Sequence, residues 1–263
     1  MPNPKNPQLK IEHLEIAGIP VISCHKGNNH QKPLIIFSHS LMESKEVFTE
    51  KLRAFAGLGY FAVALDNKDH GERSKGDLKM RLFSSGKLSL YDVRRLIKET
   101  ADEVGSIIDY FVEYEGIDEQ RIGMLGVSMG AHITFRALVS EERIKVATPI
   151  IGSPFWDDVP NDMPVDESPE AMNKLMALSN RYSPSLFLDR YYPRALLMQV
   201  GAKDIHLNVE RVKNFHEDLK RYYKENRSLL KLLLLRISDI FLNRRISKIV
   251  LKQSVFLVNQ NRI

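Results

Sequence analysis

Short, unbroken apolar runs alternate with longer stretches of helical period over the first 225 residues. Pro33 to Ser38 reads Pro-Leu-Ile-Ile-Phe-Ser and Tyr60 to Leu65 reads Tyr-Phe-Ala-Val-Ala-Leu. Neither alternates with polar residues, which predicts strands buried on both faces. Between them, Lys45 to Leu58 predicts a helix closed by Gly57 and Gly59. From Leu88 to Glu115 apolar residues recur every three or four positions, at Val93, Leu96, Ile97, Val104, Ile107, Ile108, Phe111 and Val112. That period predicts a long amphipathic helix, and Gly116 stops it. Arg121 to Val127, Lys145 to Ile151 and Arg194 to Val200 predict further strands, with helices over Ala131 to Val139 and Val209 to Tyr223. Leu9 to Ile19 and Val21 to His25, divided by Gly18 and Pro20, predict a leading antiparallel pair. Strands alternating with helices imply one domain over 1–263, built on a mostly parallel sheet covered on both faces. Residues 155–193 break this rhythm with five prolines, several acids, Trp156 and a short helical piece from Pro169 to Leu178. We expect a lid-like insertion there.

Composition changes little in that picture until charge is located. With 43% hydrophobic and 27% charged residues, the chain is ordinary for a globular protein. The formal charge is +5, which invites a nucleic-acid or membrane reading. Residues 228–263, however, hold seven basic residues against Asp239 alone, so this segment carries +6 and residues 1–227 carry −1. The segment contains no Glu, Gly, Pro or His. Its composition resembles an out-of-frame reading of a coding region, or else a divergent terminus. Ile237 to Val258 partly fits a basic amphipathic helix, but its apolar positions do not segregate cleanly, so packing on the sheet is expected rather than membrane contact. The proline-rich start lacks the apolar core of a signal peptide. No apolar run approaches a membrane span, and the single cysteine, Cys24, excludes an internal disulfide. A cytoplasmic location is expected. No metal-ligand cluster, phosphate loop or nucleic-acid surface is apparent, so no cofactor is expected.

The chemistry concentrates at Gly126-Val127-Ser128-Met129-Gly130, a G-x-S-x-G between a predicted strand and a predicted helix. A sharp turn there lifts the Ser128 hydroxyl above the sheet edge, and two glycines let strand and helix pack closely. The helix N-terminus aims N–H groups at developing negative charge. Three further stretches stand in order with it: Phe37-Ser38-His39-Ser40-Leu41, Asp69-His70-Gly71-Glu72-Arg73-Ser74 and Gly201-Ala202-Lys203-Asp204. On these motifs, residues 20–225 resemble the α/β-hydrolase superfamily, near the small bacterial esterases grouped with dienelactone hydrolases and prolyl oligopeptidases. The resemblance implies an α/β-hydrolase fold and a serine hydrolase of small carboxylic esters. Ser128 would be the nucleophile, with Asp204 as the triad acid and the Leu41 and Met129 N–H groups as the oxyanion hole. His39, His70 and Arg73 are expected to hold their loops.

Two departures stand out. Ser40 occupies a position where the family usually has glycine. More seriously, the family's base follows a last core strand after the acid, and after Asp204 the only histidines are His206 and His216. Leu229 to Ile237 predicts that strand, yet Ser238-Asp239-Ile240-Phe241 follows it. His206 is a doubtful substitute two residues beyond the acid, and His216 falls within a helix. The competing expectation is an α/β-hydrolase-fold protein that binds a ligand or partner without catalysis.

Overall fold

The computed structural model describes residues 8–27, 31–84, 86–160 and 164–235. The proline-rich start and the basic segment beyond Leu235, with its proposed helix and the loop at Ser238, lie outside them. β1 (Leu9–Ile16) and β2 (Ile19–Lys26) pair antiparallel through the two-residue turn Ala17-Gly18, both left-handed at φ 50° and 75°. The break therefore falls two residues before Pro20. Pro20 itself lies within β2, ahead of the β2 ladder to the next strand, which begins at Val21. Its missing N–H costs that ladder nothing.

β3 (Leu34–Ser38), β4 (Phe61–Leu65), β7 (Ile122–Val127), β8 (Ile144–Ile150), β9 (Ala195–Gly201) and β10 (Leu230–Leu235) complete a sheet of order β1-β2-β4-β3-β7-β8-β9-β10. From β4 through β10 all neighbours are parallel, and β2 alone meets β4 antiparallel. A short hairpin, β5 (Phe83–Ser84) with β6 (Lys87–Leu88), and the helical turn α2 (Leu78–Leu82) were not expected from the sequence.

Helices cover both faces. α1 (Thr49–Gly57), preceded by a 3₁₀ turn at Lys45–Phe48, buries Leu52 and Phe55 against Ile22, Cys24, Ile35, Phe37, Ala62 and Ala64. The alternate residues Leu34, Ile36, Phe61, Val63 and Leu65 belong to the core on the other face. That face is covered by α3 (Leu90–Glu115), α4 (Met129–Ser140) and α6 (Val209–Leu219). α3 begins where the Ser89 side chain accepts from Asp92 N–H and ends at Gly116, φ 63°. In the 155–193 segment, α5 (Pro169–Tyr182) packs on α3 and Trp156 is fully buried. This segment is part of the core architecture as well as a flank of the sheet edge.

Candidate active site

Because β4, β3, β7, β8 and β9 run parallel, the four sequence-predicted motifs, which follow β3, β4, β7 and β9, emerge at one edge of the sheet. β7 runs into Ser128, which adopts φ 54° and ψ −114°. For a residue with a Cβ this conformation costs on the order of 1–3 kcal/mol, held by its surroundings. Those surroundings are tight. A Cβ on Gly126 would meet the Gly130 carbonyl oxygen at 1.9 Å, and one on Gly130 would meet the Ser38 carbonyl oxygen at 2.0 Å. Ser128 N–H donates to the Ile150 carbonyl at 2.9 Å, fixing the turn to β8. α4 starts at Met129, two residues earlier than its sequence pattern predicts.

The loop after β3 is held by buried polar contacts. The fully buried His39 ring donates from Nδ1 to the Ser40 carbonyl at 2.8 Å and accepts at Nε2 from Asn67 N–H at 3.0 Å. Asn67 returns a bond from Nδ2 to the His39 carbonyl at 2.9 Å, and its Oδ1 accepts from Ser38 Oγ at 2.8 Å. Burial pushes His39 down to about 4, so it is neutral and serves as a brace. Ser40 stands where glycine was expected, but its backbone is not left-handed. Met42, two residues on, takes that conformation at φ 65°. A side chain at position 40 therefore costs no backbone strain.

The loop after β4 is also held by polar contacts, to itself and to α3. Arg73 forms two 2.7 Å bonds to Glu103, and His70 Nδ1 bonds the Lys68 carbonyl at 2.8 Å. Buried Lys45 sits on Asp66 at 2.8 Å and on Glu72. Burial opposes its charge, but the carboxylates of Asp66, Glu72 and Glu46 outweigh that and raise its pKa.

A pocket of about 250 Å³ opens over the elbow, bringing together Leu41, Ser128, Met129 and His206. Among the described residues, neither Leu41 N–H nor Met129 N–H is taken by a backbone acceptor. Its walls include Val93 and Ile97 from α3, Ile151 after β8 and Pro160 from the 155–193 segment. Asp204 does not line it. It opens instead on a neighbouring hollow with Asp157, Asp158 and Asn208, and His206 borders both spaces. Asp204 Oδ1 accepts from His206 N–H at 2.9 Å and Leu207 N–H at 3.2 Å, forming a turn within its own loop. His216 lies on α6 beside Glu217 at 3.4 Å; burial lowers its pKa.

Two residues in this pocket were not singled out from the sequence. His132 follows Ser128 by one turn of α4 and is buried, with burial and then the Arg94 charge pushing its pKa well below the ordinary imidazole value. Arg94 lies on α3 opposite it. The available signal was a basic residue in the stripe Leu90, Arg94, Ile97, Ala101, whose spacing marks it as facing inward.

An eight-stranded sheet of this order, with a strained serine on the strand-to-helix turn, defines the α/β-hydrolase class. The chain has the α/β-hydrolase fold, and the proteins it is similar to include ones named as esterases and as a dienelactone hydrolase. It is 27% identical over 228 residues to Putative esterase YitV of Bacillus subtilis, covering 82% of this chain and 87% of that one. It is 23% identical over 204 residues to Esterase YjfP of Escherichia coli, covering 74% and 79%. Among solved structures, the Putative Dienelactone Hydrolase from Klebsiella pneumoniae aligns with TM-score 0.68 at 13% identity, over 96% of this chain and 99% of that one. No protein-family model matches the chain.

Proposed function

We propose that the protein is a serine hydrolase of small carboxylic esters, with Ser128 as the nucleophile. The observation that carries this is the Ser128 conformation, φ 54° and ψ −114°, at the head of α4 and on the wall of a pocket shared with Leu41 and Met129. Attack of Oγ on an ester carbonyl places negative charge on the carbonyl oxygen. The N–H groups of Met129 and Leu41 are the donors proposed to receive it, each typically worth about 3 kcal/mol in the transition state. The resemblance to proteins named as esterases supports the same reading.

Asp204 is the proposed acid, reached through its loop rather than through the Ser128 pocket. His206 is the histidine that borders both spaces, and we assign it the role of a weak base at most. Its side chain is exposed, and the backbone of its own loop occupies Asp204 Oδ1. His132 is no substitute, because its Nδ1 faces the Arg94 guanidinium at 3.4 Å. This arrangement also favours a second reading, in which the elbow and pocket persist for binding alone. A fluorophosphonate probe and p-nitrophenyl acetate separate the two. Covalent labelling and ester turnover, both lost in Ser128→Ala, are expected. Turnover that survives Ser128→Ala would remove the serine mechanism, and no labelling at all would favour the binding protein.

A further inference from the structure

Arg94 has no part in the chemistry assigned to Ser128, yet it stands on the wall of the same pocket and is 6% exposed. Nε donates to the Trp156 carbonyl at 3.2 Å, and Nη1 reaches His132 Nδ1 at 3.4 Å. Neither partner carries charge. The acids that act on it through space, Asp158 and Asp157, are themselves hydrogen-bonded to Arg211. Nη2 has no acceptor among the described residues, and Arg94 lines the pocket. Burial lowers the guanidinium to about 10, which still leaves it charged at neutral pH.

A buried cation without a counter-charge is costly, and an anion that pairs with it gains in a medium where screening is weak. The surroundings here are largely apolar: Leu41, Leu90, Val93, Ile97 and Met129. Trp156 and His132 hold two of the three nitrogens, which aims the remaining one. A peg for the Trp156 carbonyl would need only Nε.

We propose that this pocket recognises a carboxylate, and that its substrate is a short ester whose acid portion ends in one, held by Arg94 while the ester carbonyl lies at Ser128. The inference rests on Ser128 as the reacting residue. One helical turn separates Ser128 from His132, roughly 6 Å along the axis. The guanidinium lies against His132, and on that spacing the proposed substrate has about three carbons between its ester carbonyl and its carboxylate. The pocket volume of about 250 Å³ falls below the ~300 Å³ at which drug-sized ligands begin to fit. A half-ester of a four- or five-carbon dicarboxylic acid meets both limits. The remaining nitrogen, Nη2, offers a carboxylate oxygen a charge-assisted hydrogen bond, stronger than a neutral one.

The test uses ketones, which bind like the ester and cannot be hydrolysed. Calorimetry compares 5-oxohexanoate with its neutral amide, 5-oxohexanamide, on the full chain. The anion is expected to bind at least tenfold more tightly at low salt, with the ratio falling toward one in Arg94→Gln and partly restored in Arg94→Lys. Equal binding of the two ketones, no binding of either, or a preference unchanged in Arg94→Gln would overturn the proposal. Should Arg94→Gln fail to fold, the ratio measured on the unaltered chain decides alone. The Ser128 reading fails separately, by absence of fluorophosphonate labelling, and an anion preference without labelling would leave a carboxylate-binding protein.

Discussion

His39 shows how one side chain does structural work inside the loop after β3. It is neutral because it is buried, and its two ring nitrogens tie the Ser40 carbonyl to the Asn67 N–H. In an unfolded chain the same imidazole titrates near 6.5. Between that value and about 4 the unfolded state binds the extra proton, so this contribution to stability is complete above pH 6.5 and is lost as pH falls toward 4. The loss amounts to on the order of 3 kcal/mol. His132, also depressed, adds a contribution of the same sign. Urea unfolding at pH 7, 6, 5 and 4.5 is expected to show the decline, with a shallower slope in His39→Asn. An identical slope in that variant would assign the effect to other groups.

At the scale of elements, the 155–193 segment combines two roles. α5 packs on α3, and the Trp156 carbonyl receives Arg94, so excising the whole segment would strip the core before it reported on selectivity. Among its described residues, Pro160 lines the pocket wall. We expect Pro160→Ala to widen the acyl side and move the preferred p-nitrophenyl ester toward longer chains by one or two carbons. An unchanged chain-length profile would mean that the segment does not set selectivity. The elbow obeys a stricter rule, since Gly130 leaves no room for a methyl group beside the Ser38 carbonyl. Gly130→Ala is expected to lower stability by about 3 kcal/mol or more through overpacking and backbone shift, read as a fall in the urea midpoint. A midpoint within error of the parent would show that β3 can yield.

For the whole molecule, the decisive quantity is how well the chain turns over an ester without a histidine in the family's usual place. Loss of a triad base can cost roughly 10⁶ in turnover, leaving the oxyanion hole and binding to act alone. We expect p-nitrophenyl acetate turnover orders of magnitude below that of a chain whose 228–263 segment is replaced by the alternative reading frame and supplies a histidine. His206→Ala is expected to change the residual rate by less than tenfold. Full turnover abolished by His206→Ala would instead make the acid loop the source of both acid and base.

Strand and helix order, the long α3 and the strand-to-helix turn at Ser128 were all legible in the sequence, because each depends on a local property. Unbroken apolar runs, a period of three to four residues, and glycine on either side of a sharp turn act on the backbone where they stand. The boundaries that moved, such as the hairpin turn at Ala17-Gly18, depended on which residues could take left-handed φ. Other features became visible only in the packed molecule. Ser40 stands in place of an expected glycine without backbone strain, since the left-handed residue of that loop is Met42. Asp204 sits at the right sheet edge, yet its Oδ1 is occupied by its own loop. Arg94 and His132, 38 positions apart, meet because α3 and α4 pack together on one face of the sheet. Local pattern determines backbone period, whereas burial, desolvation and the partner of a charge are set by chain segments distant in sequence.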